Sequence, residues 1–268
     1  MQSHSNFKKA SFFDIVKLYG YVMKLNFQKQ KRDYDLVNKE YDLGTWNRSF
    51  EEIDFETAGG NYARKDMDRI VINPINDKLV KIPRNIYEEK SKIEFLSFFQ
   101  NRIHDSIVEL GCGLGFNLFS LYNSGFTDLA GYDLSKNSIN NLKKYVKQKK
   151  IDINFDICDL NNPLPENLID GKVVFTNTCL EQCKHIMPNV LQNILKAKPK
   201  LVMNFEVDYD SSPYIVRKYF DSRDYQNNLV RNLKKLENQN KLEIISIQKM
   251  TYSGSPVNRR SVITWIPK

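Results

Sequence analysis

One stretch constrains the fold more than any other: Ile107-Val108-Glu109-Leu110-Gly111-Cys112-Gly113-Leu114-Gly115-Phe116-Asn117-Leu118. Ile107, Val108 and Leu110 make a short, partly β-branched apolar run closed by glycines, the pattern of a buried strand. Glycines at alternate positions then predict a tight turn, since glycine tolerates positive φ and lets a ligand approach the backbone. From Phe116 to Tyr122 the spacing is that of an amphipathic helix, whose first amides face whatever lies over the loop. Strand, glycine loop and helix together read as a nucleotide-type binding turn.

The rest of the chain extends this unit. Segments 128–134, 151–157, 172–177 and 201–207 read as strands, with helices over 137–147 and 188–195. Strand and helix alternating at this interval predict a parallel sheet covered on both faces. After two helical stretches between 214 and 237, strands at 242–251 and 261–266 follow without an intervening helix, which predicts a closing antiparallel hairpin. Upstream, 11–41 reads as helix with a broad apolar face, open to reading as a packing helix, a dimer face or a lid. A loop with a Gly59-Gly60 hinge carries Trp46, Tyr62 and Arg64. A β-like stretch at 69–74 and a helix from Pro83 precede the glycine turn. The expected division is an N-terminal helical extension, 1–102, and a binding domain, 103–268, with a helical insertion at 211–237.

Composition narrows the class. The chain has 268 residues, enough for a sizeable core. It has no apolar run near the roughly 20 residues of a membrane helix and no secretion signal at the N-terminus, so a cytoplasmic location is expected. Cys112, Cys158, Cys179 and Cys183 form no CxxC pair, and with three histidines no metal site is expected. Forty Lys and Arg against 32 Asp and Glu leave a net charge of +8. The lysines are dispersed, and clusters such as Lys147-Gln148-Lys149-Lys150 read as solvated helix faces. An anionic small molecule fits this charge better than nucleic acid.

Further residues specify the ligand. Asp133 ends the second strand about 20 residues after the loop, where a carboxylate accepts from both hydroxyls of a ribose. Asp159, at the end of the third strand, faces an adenine amino group. Asn177-Thr178 closes the fourth strand beside the same crevice. The glycines are spaced GxGxG, with Phe116 where the third glycine of a dinucleotide fingerprint would stand, which disfavours a nicotinamide enzyme.

On these residues the chain resembles the class I S-adenosylmethionine (SAM)-dependent methyltransferases. Glu109 to Gly115 resembles that family's first motif, Asp133 its ribose-binding acid, Asp159 its adenine contact, and 177–181 the segment bordering the methionine end. The resemblance covers 105–268. It implies a Rossmann-like, seven-stranded, mostly parallel sheet with a C-terminal antiparallel hairpin, and SAM as cofactor. The cofactor-binding set it implies is Glu109, Gly111, Cys112, Gly113, Gly115, Asn117, Asp133, Leu134, Asp159, Leu160, Asn177 and Thr178.

For the acceptor, Asn177-Thr178-Cys179-Leu180 lacks the Asn/Asp-Pro-Pro-Tyr/Phe motif of adenine and glutamine amino-methyltransferases, so methylation at oxygen is expected. Many small-molecule members have Leu-Glu-His here; this chain has Leu180-Glu181-Gln182. An acceptor hydroxyl needs a base or a polarising group, and His185, Glu206 and Glu181 are the candidates near strand ends. Tyr62, Tyr214, Arg259 and Arg260 are the candidate acceptor contacts, the arginines suiting an anionic group. The expectation is a small-molecule methyltransferase acting on a sugar, phosphorylated or nucleotide-linked metabolite of surface-glycan synthesis. An RNA or protein methyltransferase, or a non-catalytic SAM-binding protein, is the alternative.

Overall fold

The computed structural model describes residues 7–27, 34–39, 42 and 68–268. A short strand, Lys8–Lys9 (β1), precedes two helices, Phe12–Phe27 (α1) and Tyr34–Lys39 (α2). Strands Ile70–Ile75 (β2) and Lys78–Pro83 (β3) then form a hairpin, followed by the helix Arg84–Ser97 (α3). β1, β3 and β2 make a three-stranded antiparallel sheet, where the sequence reading expected a single β-like stretch. The turn is Asn76-Asp77, with φ of 48° and 65°. Two successive left-handed residues match the right-handed twist of a hairpin, and Asn and Asp are the non-glycine residues that enter this conformation most readily.

The main sheet follows: Ile107–Leu110 (β4), Phe116–Tyr122 (α4), Leu129–Asp133 (β5), Lys136–Lys149 (α5), Asn154–Ile157 (β6), Val173–Asn177 (β7), Met187–Lys196 (α6), Leu201–Glu206 (β8), Tyr214–Ser222 (α7), Leu229–Asn238 (α8), Leu242–Ser255 (β9) and Asn258–Pro267 (β10). Strand order is β6-β5-β4-β7-β8-β10-β9. β4 pairs in parallel with β5 and β7, as do β5 with β6 and β7 with β8; β10 runs antiparallel to β8 and β9. The architecture is the α/β one expected. The closing hairpin turns more tightly than the sequence suggested, through Pro256-Val257 alone.

Side chains alternate across the sheet with period two. Ile107, Phe175, Met203, Phe205 and Val262 pack on one face with α4; Val108, Val174, Val202, Ile263 and Trp265 pack on the other with α6 and α8. Helix α3 enters the first of these cores. Phe95 lies 5.1 Å from Phe205 and Phe99 5.3 Å from Phe175 between ring centroids, and all four rings are buried. Helix α1 docks instead on α7, with Val22 buried against Ile215, Val216 and Phe220 and the Asn26 amide donating to the Lys218 carbonyl. Among the described residues no helix is long and apolar enough to cross a membrane.

Because Phe99 is fully buried in this aromatic cluster, Phe99→Ala should lower unfolding stability by about 3–5 kcal/mol. Urea unfolding followed by far-UV circular dichroism checks this, and a single shifted transition is expected.

Candidate active site

The glycine loop forms the floor of a cavity of about 390 Å³ at the C-terminal ends of the parallel strands. Gly111, Gly113 and Gly115 all have positive φ, 74°, 52° and 73°. At Gly111 there is a second requirement: a Cβ would stand 2.1 Å from Cys179 Sγ, so any side chain would collide with the turn after β7. Of the residues expected to bind cofactor, all but Gly115 line this cavity. Gly115 lies underneath, where a Cβ would meet Leu142, Phe119 and Phe155, and it begins α4.

The carboxylates are held by the fold. Asp133 Oδ2 accepts from the Gly113 amide at 2.8 Å and Oδ1 from the Ser135 amide at 2.9 Å, so the end of β5 pins the loop. Burial raises its pKa against these amides. Asp159 Oδ1 accepts from the Asn161 amide and Oδ2 from the Asn162 side chain. Glu109 is 1% exposed. Its Oε1 accepts from Asn117 Nδ2 at 2.5 Å, while Oε2 is buried without a hydrogen-bond partner among the described residues. Burial pushes this carboxyl well above its ordinary pKa. Asn177 Nδ2 donates to Asn117 Oδ1 at 3.2 Å, and Arg260 Nη1 donates to Asn177 Oδ1 at 2.7 Å.

All four cysteines line the cavity as free thiols. Burial pushes the Cys158 thiol up to about 11 and raises Cys112; hydrogen bonding to Cys183, then burial, raise Cys179. They behave as apolar wall. Several lining residues escaped the sequence reading: Phe116, Ser135, Gln182, Ile186, and Val37 of α2. Only Ser135 carried a signal, as the residue closing the turn after Asp133. Asp42 accepts from Ser135 Oγ at 2.7 Å and from the Asn137 amide at 3.0 Å.

A second cavity, about 270 Å³, adjoins the first; Phe116, Asn117, Asn177 and Arg260 line both. Here the expected acceptor contacts separate. Adjacent side chains on a strand leave on opposite faces, so Arg260 borders both cavities while Arg259 turns away. Arg259 Nη1 donates to the Asp77 carbonyl at 3.1 Å and Nε to the Pro256 carbonyl, tying the two hairpin turns together. Tyr214 is exposed on α7 and lines neither cavity. Tyr62 lies outside the described residues, as do Trp46, Arg64 and the Gly59-Gly60 hinge.

The three expected acid–base groups also face elsewhere. His185 is exposed, its Nε2 3.3 Å from Asp224. Glu181 is turned inward by the 3₁₀ segment Leu180–Gln182 and accepts from Asn258 Nδ2 at 2.9 Å. Glu206 Oε1 accepts from the Cys179 and Leu180 amides, both at 3.0 Å, and so supports the turn that packs on Gly111. None of them lines either cavity.

A family model described as a methyltransferase domain matches residues 102–249, more than half of the chain. The chain belongs to this methyltransferase family. Comparison with curated protein sequences gives no match. Among solved structures, the methyltransferase resembles magnesium protoporphyrin IX methyltransferase from Synechocystis PCC 6803 with bound SAH (S-adenosylhomocysteine) at 11% identity and a TM-score of 0.59, over 88% of this chain and 100% of that one. The same protein with bound SAM gives 10% identity and 0.55, over 89% and 99%. The PH0226 protein of Pyrococcus horikoshii OT3 gives 16% and 0.50, over 68% and 92%. At these identities the likeness concerns the fold.

Glu206 generates a pH prediction. Burial outweighs its two amide donors and pushes its pKa from 4.5 to about 7. Protonated in the folded state and ionised in the unfolded state between those values, it contributes stability below pH 4.5 that is lost as pH rises to about 7. Glu206→Gln imitates the protonated acid. It should match the native protein at pH 4 and exceed it by about 1–3 kcal/mol at pH 8 in urea unfolding.

Proposed function

We propose that this methyltransferase transfers a methyl group to an oxygen of a small anionic acceptor in the cytoplasm, such as a sugar, phosphorylated or nucleotide-linked metabolite of surface-glycan synthesis. The observation that carries the reading is the shared wall. A cavity bordered by three acids and the glycine loop meets a second, more cationic cavity along Phe116, Asn117, Asn177 and Arg260.

The residues fit SAM. About 390 Å³ lies within the range of small-molecule pockets. The buried, unpartnered Oε2 of Glu109 is an acceptor awaiting a donor, and suits the methionine ammonium. Asp133 retains lone pairs for the ribose hydroxyls beyond those used by the Gly113 and Ser135 amides. Asp159 would take the adenine amino group. Bound SAM supplies an electrophilic methyl carbon on a good leaving group, so the chain's task is to hold an acceptor in line with it. Asn117 and Asn177 stand where the two chambers meet. Positioning, with no side-chain base from His185, Glu181 or Glu206, is the catalytic contribution supported by their orientation.

For a partner, the outer face of α1 supports self-association: Phe12, Val16, Met23 and Phe27 are exposed along one stripe of that helix. The function itself is tested by supplying methyl-labelled SAM with separated small-metabolite, RNA and protein pools. Label is expected in the small-metabolite pool. Label confined to RNA or protein would refute the small-acceptor reading, and no label in any pool would refute catalysis.

A further inference from the structure

The second cavity is lined by two cations, Lys92 and Arg260, against one carboxylate, Glu88. Lys92, half-buried on α3, forms no ion pair among the described residues. Among the described residues Arg260 donates only to neutral oxygens, Nη1 to Asn177 Oδ1 at 2.7 Å and Nη2 to Ser91 Oγ at 3.4 Å, while its buried Nε has no acceptor. The nearby Glu94 uses its carboxylate on the Thr251 and Tyr252 amides, at 2.6 and 2.7 Å. Glu88 also lines the cavity, leaving the chamber net cationic. Burial lowers the pKa of Arg260 against the fields of Glu94, Glu206 and Glu181, none of which accepts a hydrogen bond from it among the described residues, so an anion at hydrogen-bonding distance would favour its charged form.

The arginine is also joined to the cofactor chamber. From Arg260 the hydrogen bonds run in one direction: guanidinium to Asn177 Oδ1, Asn177 Nδ2 to Asn117 Oδ1, Asn117 Nδ2 to Glu109 Oε1. A pure donor at one end and a carboxylate at the other set the orientation of both amides. A cation placed against Glu109 Oε2 would favour its ionised form, strengthen the last bond and hold the two amides in register for Arg260.

We infer that the second cavity recognises its acceptor through a carboxylate or phosphate group bound by Arg260 and Lys92. Asn117 and Asn177 are positioning residues that couple this anion site to occupancy of the cofactor cavity. The inference rests on the methyltransferase reading above and specifies its acceptor chemistry.

Calorimetric titration of the full chain with inorganic phosphate, and separately with acetate, each with and without saturating SAH, tests it. At least one anion is expected to bind, about fivefold or more tighter with SAH present. Arg260→Gln should weaken that anion about tenfold or more and change SAH affinity less than about threefold. Lys92→Gln, at a half-exposed position, should weaken the anion in the same direction in a chain whose fold is not at risk. Asn177→Ala should abolish the effect of SAH on anion affinity, which a purely structural role would leave in place. SAH binding by the native chain with no anion binding overturns the inference alone, as does anion binding indifferent to both Lys92→Gln and Arg260→Gln. Weakening of SAH with phosphate untouched in Arg260→Gln would make the arginine a cofactor contact and also overturn it. Failure of the native chain to bind SAH overturns the underlying function.

Discussion

The close approach of Cys179 to Gly111 sets the geometry on which both cavities depend. A Cβ at residue 111 would overlap the cysteine sulfur, so the end of β4 and the turn after β7 touch only because a side chain is missing. Glu206 holds that turn through the Cys179 and Leu180 amides. On the opposite side Asp133 holds the loop through the Gly113 amide, and Ser138 Oγ donates to the Gly113 carbonyl. Clamped from both sides, the loop keeps its left-handed backbone while Glu109 remains buried with one oxygen unpartnered. A site prepared in this way does not have to reorganise its own polar groups when a ligand arrives.

Charge is divided between the two chambers. Glu109, Asp133 and Asp159 border the first, Arg260 stands on the wall that both share, and Lys92 and Glu88 border the second. SAM carries cationic ammonium and sulfonium groups and suits the acidic side; an anionic acceptor suits the other. In an interior of low dielectric each separation of this kind discriminates strongly between ligands of opposite sign. The neutral amides of Asn117 and Asn177 occupy the boundary, where either a full charge or an apolar residue would break the chain of hydrogen bonds between Arg260 and Glu109.

What was legible in the sequence was local. The glycine spacing, the acids at strand ends and the β/α alternation depend on neighbours a few residues away, and they led to the fold, the family and about half of the residues that line the first cavity. Side-chain direction at chain positions that depend on register was not legible. Arg259 and Arg260 are one residue apart on β10, yet one joins two hairpin turns and the other lies between two cavities. Glu206, Glu181 and His185 stand near the right strand ends, but the 3₁₀ turn and strand parity direct them away. The hairpin at Asn76-Asp77 was missed because its turn uses no glycine, although two residues prone to left-handed backbone between apolar runs were there to be read. The second cavity joins α3, β2, β9 and β10, elements distant in sequence, and no local pattern announces it.

The central claim is that this loop, with its flanking acids, is built to hold SAM. Calorimetric titration with SAH tests it most directly. The native chain should bind at a single site, and Asp133→Ala should bind at least about tenfold more weakly while keeping its far-UV circular dichroism spectrum. No binding by the native chain, or equal binding by the folded variant, would contradict the account.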